Sequence, residues 1–200
     1  GSLGCRFQED GTRMRKMIWL FALCCCVASA AMAGPNAGGV IVVHNTNITW
    51  TTDGLTLPPV SPVPTCATMS NQIALDAPKV WKVYAAFPTN SSPRLWTCGW
   101  GIGLTSDTFI QIAGNGAPSA SVFFVTSDNW PAGNSFVGMG FSDGARTSIV
   151  TELWWFGGYA YSAPQTFSVI PHSDPNNQLF VDDAVPNNTD PIAGYGTLGF

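Results

Sequence analysis

One ten-residue segment constrains the chain more than any other. From Leu95 to Leu104, Trp96, Cys98, Trp100, Ile102 and Leu104 fall on one parity, and Gly99, Gly101 and Gly103 fall on the other. Successive side chains of a β-strand point to opposite faces, so this pattern makes one face aromatic and aliphatic and leaves the other almost bare. Wound as a helix, the same residues would scatter around the axis and each glycine would cost about 1 kcal/mol. The segment reads as a strand. Trp81, Val83, Ala85 and Phe87 likewise lie opposite Lys82, Tyr84 and Ala86.

Further β-rich runs are Val40–Val43, Ile48–Thr52, Phe109–Ala113, Ser121–Thr126, Phe136–Phe141, Thr147–Phe156, Thr166–Ile170 and Leu179–Val181. Turn formers separate them: Asn45-Thr46-Asn47, Thr89 to Pro93, Gly114-Asn115-Gly116, Ser142-Asp143-Gly144 and Asp174 to Asn177. These residues either fix the turn backbone or tolerate positive φ. Ala145–Leu153 is the one helical contender, and its β-branched Thr147, Ile149, Val150 and Thr151 argue against it. Leu57 to Pro64, with four prolines, is an extended loop. Many short strands with regular turns predict an all-β fold, an antiparallel β-sandwich of jelly-roll-like type, with a β-barrel as the alternative.

Charge is sparse: 8 Lys and Arg with 12 Asp and Glu make 10% of 200 residues, against roughly 25% in an ordinary soluble domain. Residues 1–33 hold four of those bases and two of the acids, which leaves four bases and ten acids in residues 34–200. No basic cluster exists to displace counterions from nucleic acid, so a nucleic-acid partner is excluded. The N-terminal segment reads as an export signal: Arg15-Lys16, an apolar run from Met17 to Val27, then Ala31-Met32-Ala33 before Gly34. The run is too short to span a bilayer, which needs roughly 20 residues. Cys24 would be the lipidation point of a lipoprotein, but Leu23 stands where a small residue is wanted. The expected organisation is an upstream extension over 1–13, a signal peptide over 14–33 and one secreted domain over 34–200, with no membrane span after cleavage. The destination is extracellular, cell-surface or periplasmic.

Beyond the signal, the cysteines are Cys66 and Cys98. Outside the cytoplasm two such residues most simply form a disulfide, worth about 3–4 kcal/mol for a loop of this size; two unpaired buried thiols are the alternative. Gly140-Phe141-Ser142-Asp143-Gly144 has the letters of a nucleophile elbow, and Glu152 and His172 follow in chain order. The strand–turn–helix context that such an elbow needs is missing, and Asp143-Gly144 reads as a hairpin turn. Gly194-Tyr195-Gly196-Thr197-Leu198-Gly199 matches a dinucleotide fingerprint without a helix to receive the phosphates. Glu152 is the one Glu of residues 34–200, and a glycosidase needs two facing carboxylates. His44 and His172 read as structural. No intact catalytic set emerges, and the expectation is a protein that is not an enzyme.

Two features point to binding. Leu153 to Tyr161 packs five aromatics into nine residues, with Trp154 and Trp155 on opposite faces of a strand. One indole belongs to the core, and the other meets a second layer, water or a ligand. Trp154, Trp155, Tyr159 and Tyr161 are therefore candidate stacking residues for a glycan; a central strand buried on both sides is the competing reading. Late acids Asp174, Asp182 and Asp183, with Asp190, could supply the oxygens of a calcium site, or be capped turns and solvated carboxylates. No other cofactor is implied.

Several segments carry a resemblance: Gly34 to Gly39, Val80 to Pro88, Ser91 to Leu95, Trp154 to Tyr161 and Phe180 to Pro186. Together they resemble secreted proteins encoded in environmental bacterial genomes, which implies a bacterial origin and export and transfers no catalytic residue. Phe180-Val181-Asp182-Asp183-Ala184-Val185 looks like the closing strand of jelly-roll adhesin and carbohydrate-binding modules. Such proteins often continue into a C-terminal sorting segment, so the resemblance implies a natural chain extending past Phe200. The functional expectation is a secreted, non-enzymatic β-sandwich of structural or adhesive role that meets another extracellular protein. The alternative is a carbohydrate-binding module dependent on calcium.

Overall fold

The computed structural model describes residues 33–51, 60–75 and 77–200. The expected extension, most of the signal segment and Leu57 to Pro59 lie outside those residues. The chain divides into Gly1–Ala33 and a compact unit, Gly34–Phe200, and the unit is a β-sandwich. Its strands are β1 (Val40–Thr49), β2 (Lys79–Ala86), β3 (Thr97–Leu104), β4 (Ile110–Gly116), β5 (Val122–Thr126) and β6 (Ser135–Phe141), followed by β7 (Val150–Ala160), β8 (Thr166–Ile170), β9 (Leu179–Val181), β10 (Thr189–Pro191) and β11 (Thr197–Gly199).

One sheet has the order β1-β2-β7-β4, and the other runs β10-β9-β3-β6-β5, with β8 on β3 and β11 on β8. Every pairing between these strands is antiparallel. β9 and β8 share one side of β3: β9 pairs with Thr97 and Cys98, and β8 pairs with Gly101 to Leu104. The connection between them contains a 3-10 turn, Pro175–Asn177, capped by the Asp174 side chain.

The predicted alternation fixes what each sheet buries. Cys98, Trp100 and Ile102 from β3, Val137, Met139 and Phe141 from β6, and Trp81, Val83 and Ala85 from β2 meet in one core. Aromatic rings dominate it. Trp81 stacks on Phe156 at 5.9 Å, and Trp130 meets Trp100 edge-on at 5.4 Å and Trp154 at 5.5 Å. Asn115 holds two of these indoles, its Oδ1 accepting from Trp130 Nε1 at 3.0 Å and from Trp154 Nε1 at 3.1 Å. One amide oxygen thus satisfies two donors that the core would otherwise strand.

Several expectations are corrected. No disulfide forms: Cys98 is buried in the core and Cys66 is exposed, both free. The Cys98 side chain follows the inward parity of β3, away from the exposed segment that carries Cys66. Ser142-Asp143-Gly144 is not a hairpin, since β6 and β7 belong to different sheets. It begins a sheet-to-sheet crossing in which Gly144 takes φ +112° and Asp143 pairs with Arg146 at 2.9 Å. Asn45 to Asn47 does not end a strand; it is an irregularity inside β1, with Asn47 at φ 59°. β9 does not close the fold, because β10 and β11 follow it. The apparent dinucleotide fingerprint lies across the approach to β11 and β11 itself, with Gly196 N–H donating to the Ile41 carbonyl at 2.8 Å. Among the described residues no helix is long and apolar enough to cross a membrane.

Candidate functional site

The bare parity of β3 underlies a concavity on the outer face of its sheet. With Cys98 and Trp100 turned inward, Gly99 and Gly101 face out, and on β6 Gly138 and Gly140 do the same. Register then matters. Gly99 lies directly opposite Gly138, and Gly138 opposite Val125 of β5. The neighbouring row is Val181, Thr97, Gly140 and Phe123, and the row on the other side pairs Gly101 with Phe136. Two adjacent missing side chains, flanked by filled rows, leave a trough across the strands.

Three of the glycines are roofed by neighbours and one is open. A Cβ at Gly101 would stand 2.5 Å from the Phe136 ring, one at Gly99 would stand 2.5 Å from the Asn177 carbonyl oxygen, and one at Gly140 would collide with the Phe123 ring. At Gly138 a Cβ meets nothing within 4 Å. The trough encloses about 540 Å³, within the range of ligand-sized clefts. Phe123 and Val125 stand at one end, Leu179 and Asn177 at the other, and Phe136 with His172 along the side. The Phe136 and His172 rings are 5.2 Å apart. No Asp, Glu, Lys or Arg lines it. β5 is a sheet edge, and its Phe123, Phe124 and Val125 are 50%, 48% and 78% exposed.

The aromatic candidates behave otherwise. A bulge opposite Val83 and Tyr84 sets Leu153 and Trp154 both into the core and turns Trp155 to the opposite face of β7. There Trp155 packs with Trp50 and Val80, its ring 5.5 Å from Trp50. Trp154 is 1% and Trp155 5% exposed, so neither offers a ring face to a sugar; the strand is buried on both sides. Tyr159 and Tyr161 are brought together at the end of β7, hydroxyls 2.8 Å apart and rings edge-to-face at 4.9 Å. Tyr161 is exposed.

The acids do not converge. Asp174 caps the 3-10 turn, accepting from Asn176 N–H at 2.9 Å. Asp183 pairs with Arg94 at 2.7 Å. Asp182 is buried and closes its own loop, accepting from Asn188 N–H and Nδ2, both at 2.7 Å, and from Ala184 N–H at 3.1 Å. Burial alone would raise its carboxyl; the bonds from Asn188 and Ala184, with the Arg94 charge, outweigh burial and hold it below the ordinary carboxylate value. Among the described residues no three His, Cys, Asp or Glu side chains are grouped as a metal site.

A buried ion pair escaped the sequence reading. Lys82 Nζ lies 2.9 Å from Glu152 Oε2, with Lys82 almost fully enclosed. Burial raises Glu152, and the lysine only partly offsets it. Beside them Tyr84 is pushed up to about 12 by burial and by the Glu152 charge, while burial lowers His44. Glu152 Oε1 has no partner. His44 Nδ1 accepts from Ser70 N–H at 3.0 Å, so the histidine ties down a loop. Ser142 Oγ donates to the Ser121 carbonyl at 2.9 Å, and no histidine partners it, so the elbow letters assemble no catalytic set.

The sequence matches no protein family and no curated protein. Among solved structures it resembles the cohesin module from a family 33 glycoside hydrolase of Clostridium perfringens, at TM-score 0.51 and 6% identity over 80% of this chain and 93% of that one. A ScaB type I cohesin from Pseudobacteroides cellulosolvens is similar at TM-score 0.45 and 8% identity, over 64% and 85% of the two chains. A non-cellulosomal cohesin from Archaeoglobus fulgidus follows at 0.44 and 11%, over 82% and 91%. The first likeness establishes the architecture: a cohesin-like, jelly-roll-like β-sandwich.

Proposed function

We propose that this chain is an exported, non-catalytic β-sandwich module that docks another protein, holding an uncharged, apolar segment of it in the trough over Gly99 and Gly138. The observation that carries the reading is the row of missing side chains between filled rows. It is a ligand-sized concavity with Phe123, Val125, Phe136 and Leu179 on its walls and no charged side chain in its lining. A segment bearing Asp, Glu, Lys or Arg would be desolvated there without a counter-charge. The exposed Phe123-Phe124-Val125 edge extends the apolar surface and leaves backbone donors and acceptors free for a partner strand. A fold shared with a cohesin module carried by a glycoside hydrolase is consistent with a binding role. A glycan reading retains only the Tyr159–Tyr161 pair, whose edge-to-face rings form no flat stacking platform.

Selection from a random peptide library on the native protein, with a glycan panel alongside, tests this. Enrichment of uncharged sequences rich in aliphatic residues supports docking in the trough. Glycan binding without peptide enrichment overturns it.

A further inference from the structure

A buried carboxylate receives the first residue of the compact unit. Asp190 on β10 is 3% exposed and lies in an edge strand. Its Oδ1 accepts from Gly34 N at 2.8 Å and its Oδ2 from Asn36 N at 2.9 Å. Both donors are backbone amides, and among the described residues no Lys, Arg or His is paired with it. A carboxylate withdrawn from water with neutral donors alone keeps an uncompensated charge, which proteins seldom tolerate without a cation.

The seat around it is built to hold the chain start. Asn36 is fully buried and brackets the Arg94 backbone, donating from Nδ2 to its carbonyl at 3.2 Å and accepting its N–H on Oδ1 at 3.0 Å. Ala37 N–H donates to the Gly34 carbonyl at 3.1 Å, and Gly39 N–H to the Asn36 carbonyl at 3.1 Å. Gly38 takes φ +73° inside that turn. A Cβ at residue 34 would collide with the Asp190 carboxylate, so a larger residue there would have to push that carboxylate aside. Arg94, whose backbone Asn36 brackets, commits its guanidinium to Asp183.

The sequence places Ala31-Met32-Ala33, a small-residue cleavage pattern, immediately before this glycine. Ala33 is exposed. We infer that Asp190 is the seat of an α-ammonium group created at Gly34 when an export-linked signal peptidase hydrolyses the Ala33–Gly34 bond. Water adds across that bond: Ala33 leaves with a carboxylate, and the Gly34 nitrogen takes up protons to become an ammonium. The neutral N–H donor 2.8 Å from Asp190 thereby becomes its counter-ion, a charge that the intact Ala33–Gly34 amide does not carry. The inference rests on the export reading.

The test uses the full chain expressed in a secreting bacterial host. Sequencing the exported product reads the cleavage point, expected at Gly34. The pH midpoint of α-amine labelling is then measured on that product, native and in urea. The ordinary α-amine value is about 7.7–8.0. Ion pairing raises the native midpoint by about one unit, roughly a tenfold gain in proton affinity, whereas burial without pairing would lower it. The same measurement on Asp190→Asn is expected to lose the rise and to return a midpoint at or below the ordinary value. The native-against-urea comparison decides the matter even if that variant does not fold. An exported product starting elsewhere overturns the cleavage at Gly34 and leaves export standing, whereas absence of any exported product overturns the export reading itself. A product starting at Gly34 with an unraised midpoint overturns the seat and leaves export standing.

Discussion

Gly99 and Gly138 face one another in register across β3 and β6, and the trough exists because both lack a side chain. They differ in consequence. Gly138 has open space where a Cβ would go, so the side chain of Gly138→Val enters the trough with its Cβ unobstructed. Glycine is a weak strand residue, and the variant is expected to gain about 0.5–1 kcal/mol, roughly 1–4 °C in melting temperature. Gly158→Ala is the contrasting case. Its Cβ would collide with the Gln111 carbonyl on the adjacent strand, where backbone cannot yield, and a loss of about 3 kcal/mol or more is expected. Thermal melts of the two variants, moving in opposite directions, check both claims.

The Lys82–Glu152 pair is expected to behave as a buried salt bridge. Lys82→Met leaves an uncompensated carboxylate and costs about 3–5 kcal/mol, while Lys82→Met with Glu152→Leu falls close to the native stability or above it. The pH dependence follows from the direction of the Glu152 shift. Its carboxyl is raised in the folded state, so the folded chain binds that proton more tightly than the unfolded one. The group therefore opposes folding increasingly as pH rises from its unfolded value towards its folded one. Urea melts across that range should show Glu152→Gln lacking this decline.

Cys98 is buried and its thiol pushed up to about 12 by desolvation, whereas Cys66 is exposed. Iodoacetamide on the native protein, without reductant, is expected to modify Cys66 and spare Cys98 until urea is added. Peptide mapping that finds both residues protected until a reductant is supplied would restore the disulfide.

Asp182 is held below its ordinary value, so its contribution to stability is present above the unfolded carboxylate pKa and is lost as pH falls through the folded one. Asp182→Asn is expected to cost about 2 kcal/mol at neutral pH through weakened charge-assisted bonds, with the difference from the native chain vanishing in strong acid. Calcium leaves the melting temperature unchanged in both proteins, because the carboxylate is already occupied by its own loop. A calcium-dependent rise in the native protein alone would return Asp182 to metal binding.

How far the sequence reached depends on length and register. Long alternating segments such as 95–104 and 79–86 disclose themselves, because four or more residues share each parity. Thr189–Pro191 and Thr197–Gly199 are three-residue strands, too short for alternation to register, and they contain proline and glycine. The bare face of β3 was visible, but the trough also needs Gly138 opposite Gly99, a relation between strands that no single segment encodes. Trp154 and Trp155 were separated correctly onto two faces; that both faces are covered depended on Trp50, far away in sequence. Asp190 was grouped with the late acids by position, while its role comes from β10 lying beside the turn at Gly34.

The trough as a docking site is tested most directly by titrating the native protein and Gly138→Trp with an uncharged peptide selected on the native form. At least a tenfold weaker Kd is expected for the variant, at an unchanged or higher melting temperature. Equal affinity with both proteins folded would contradict it and place the partner elsewhere on the sandwich.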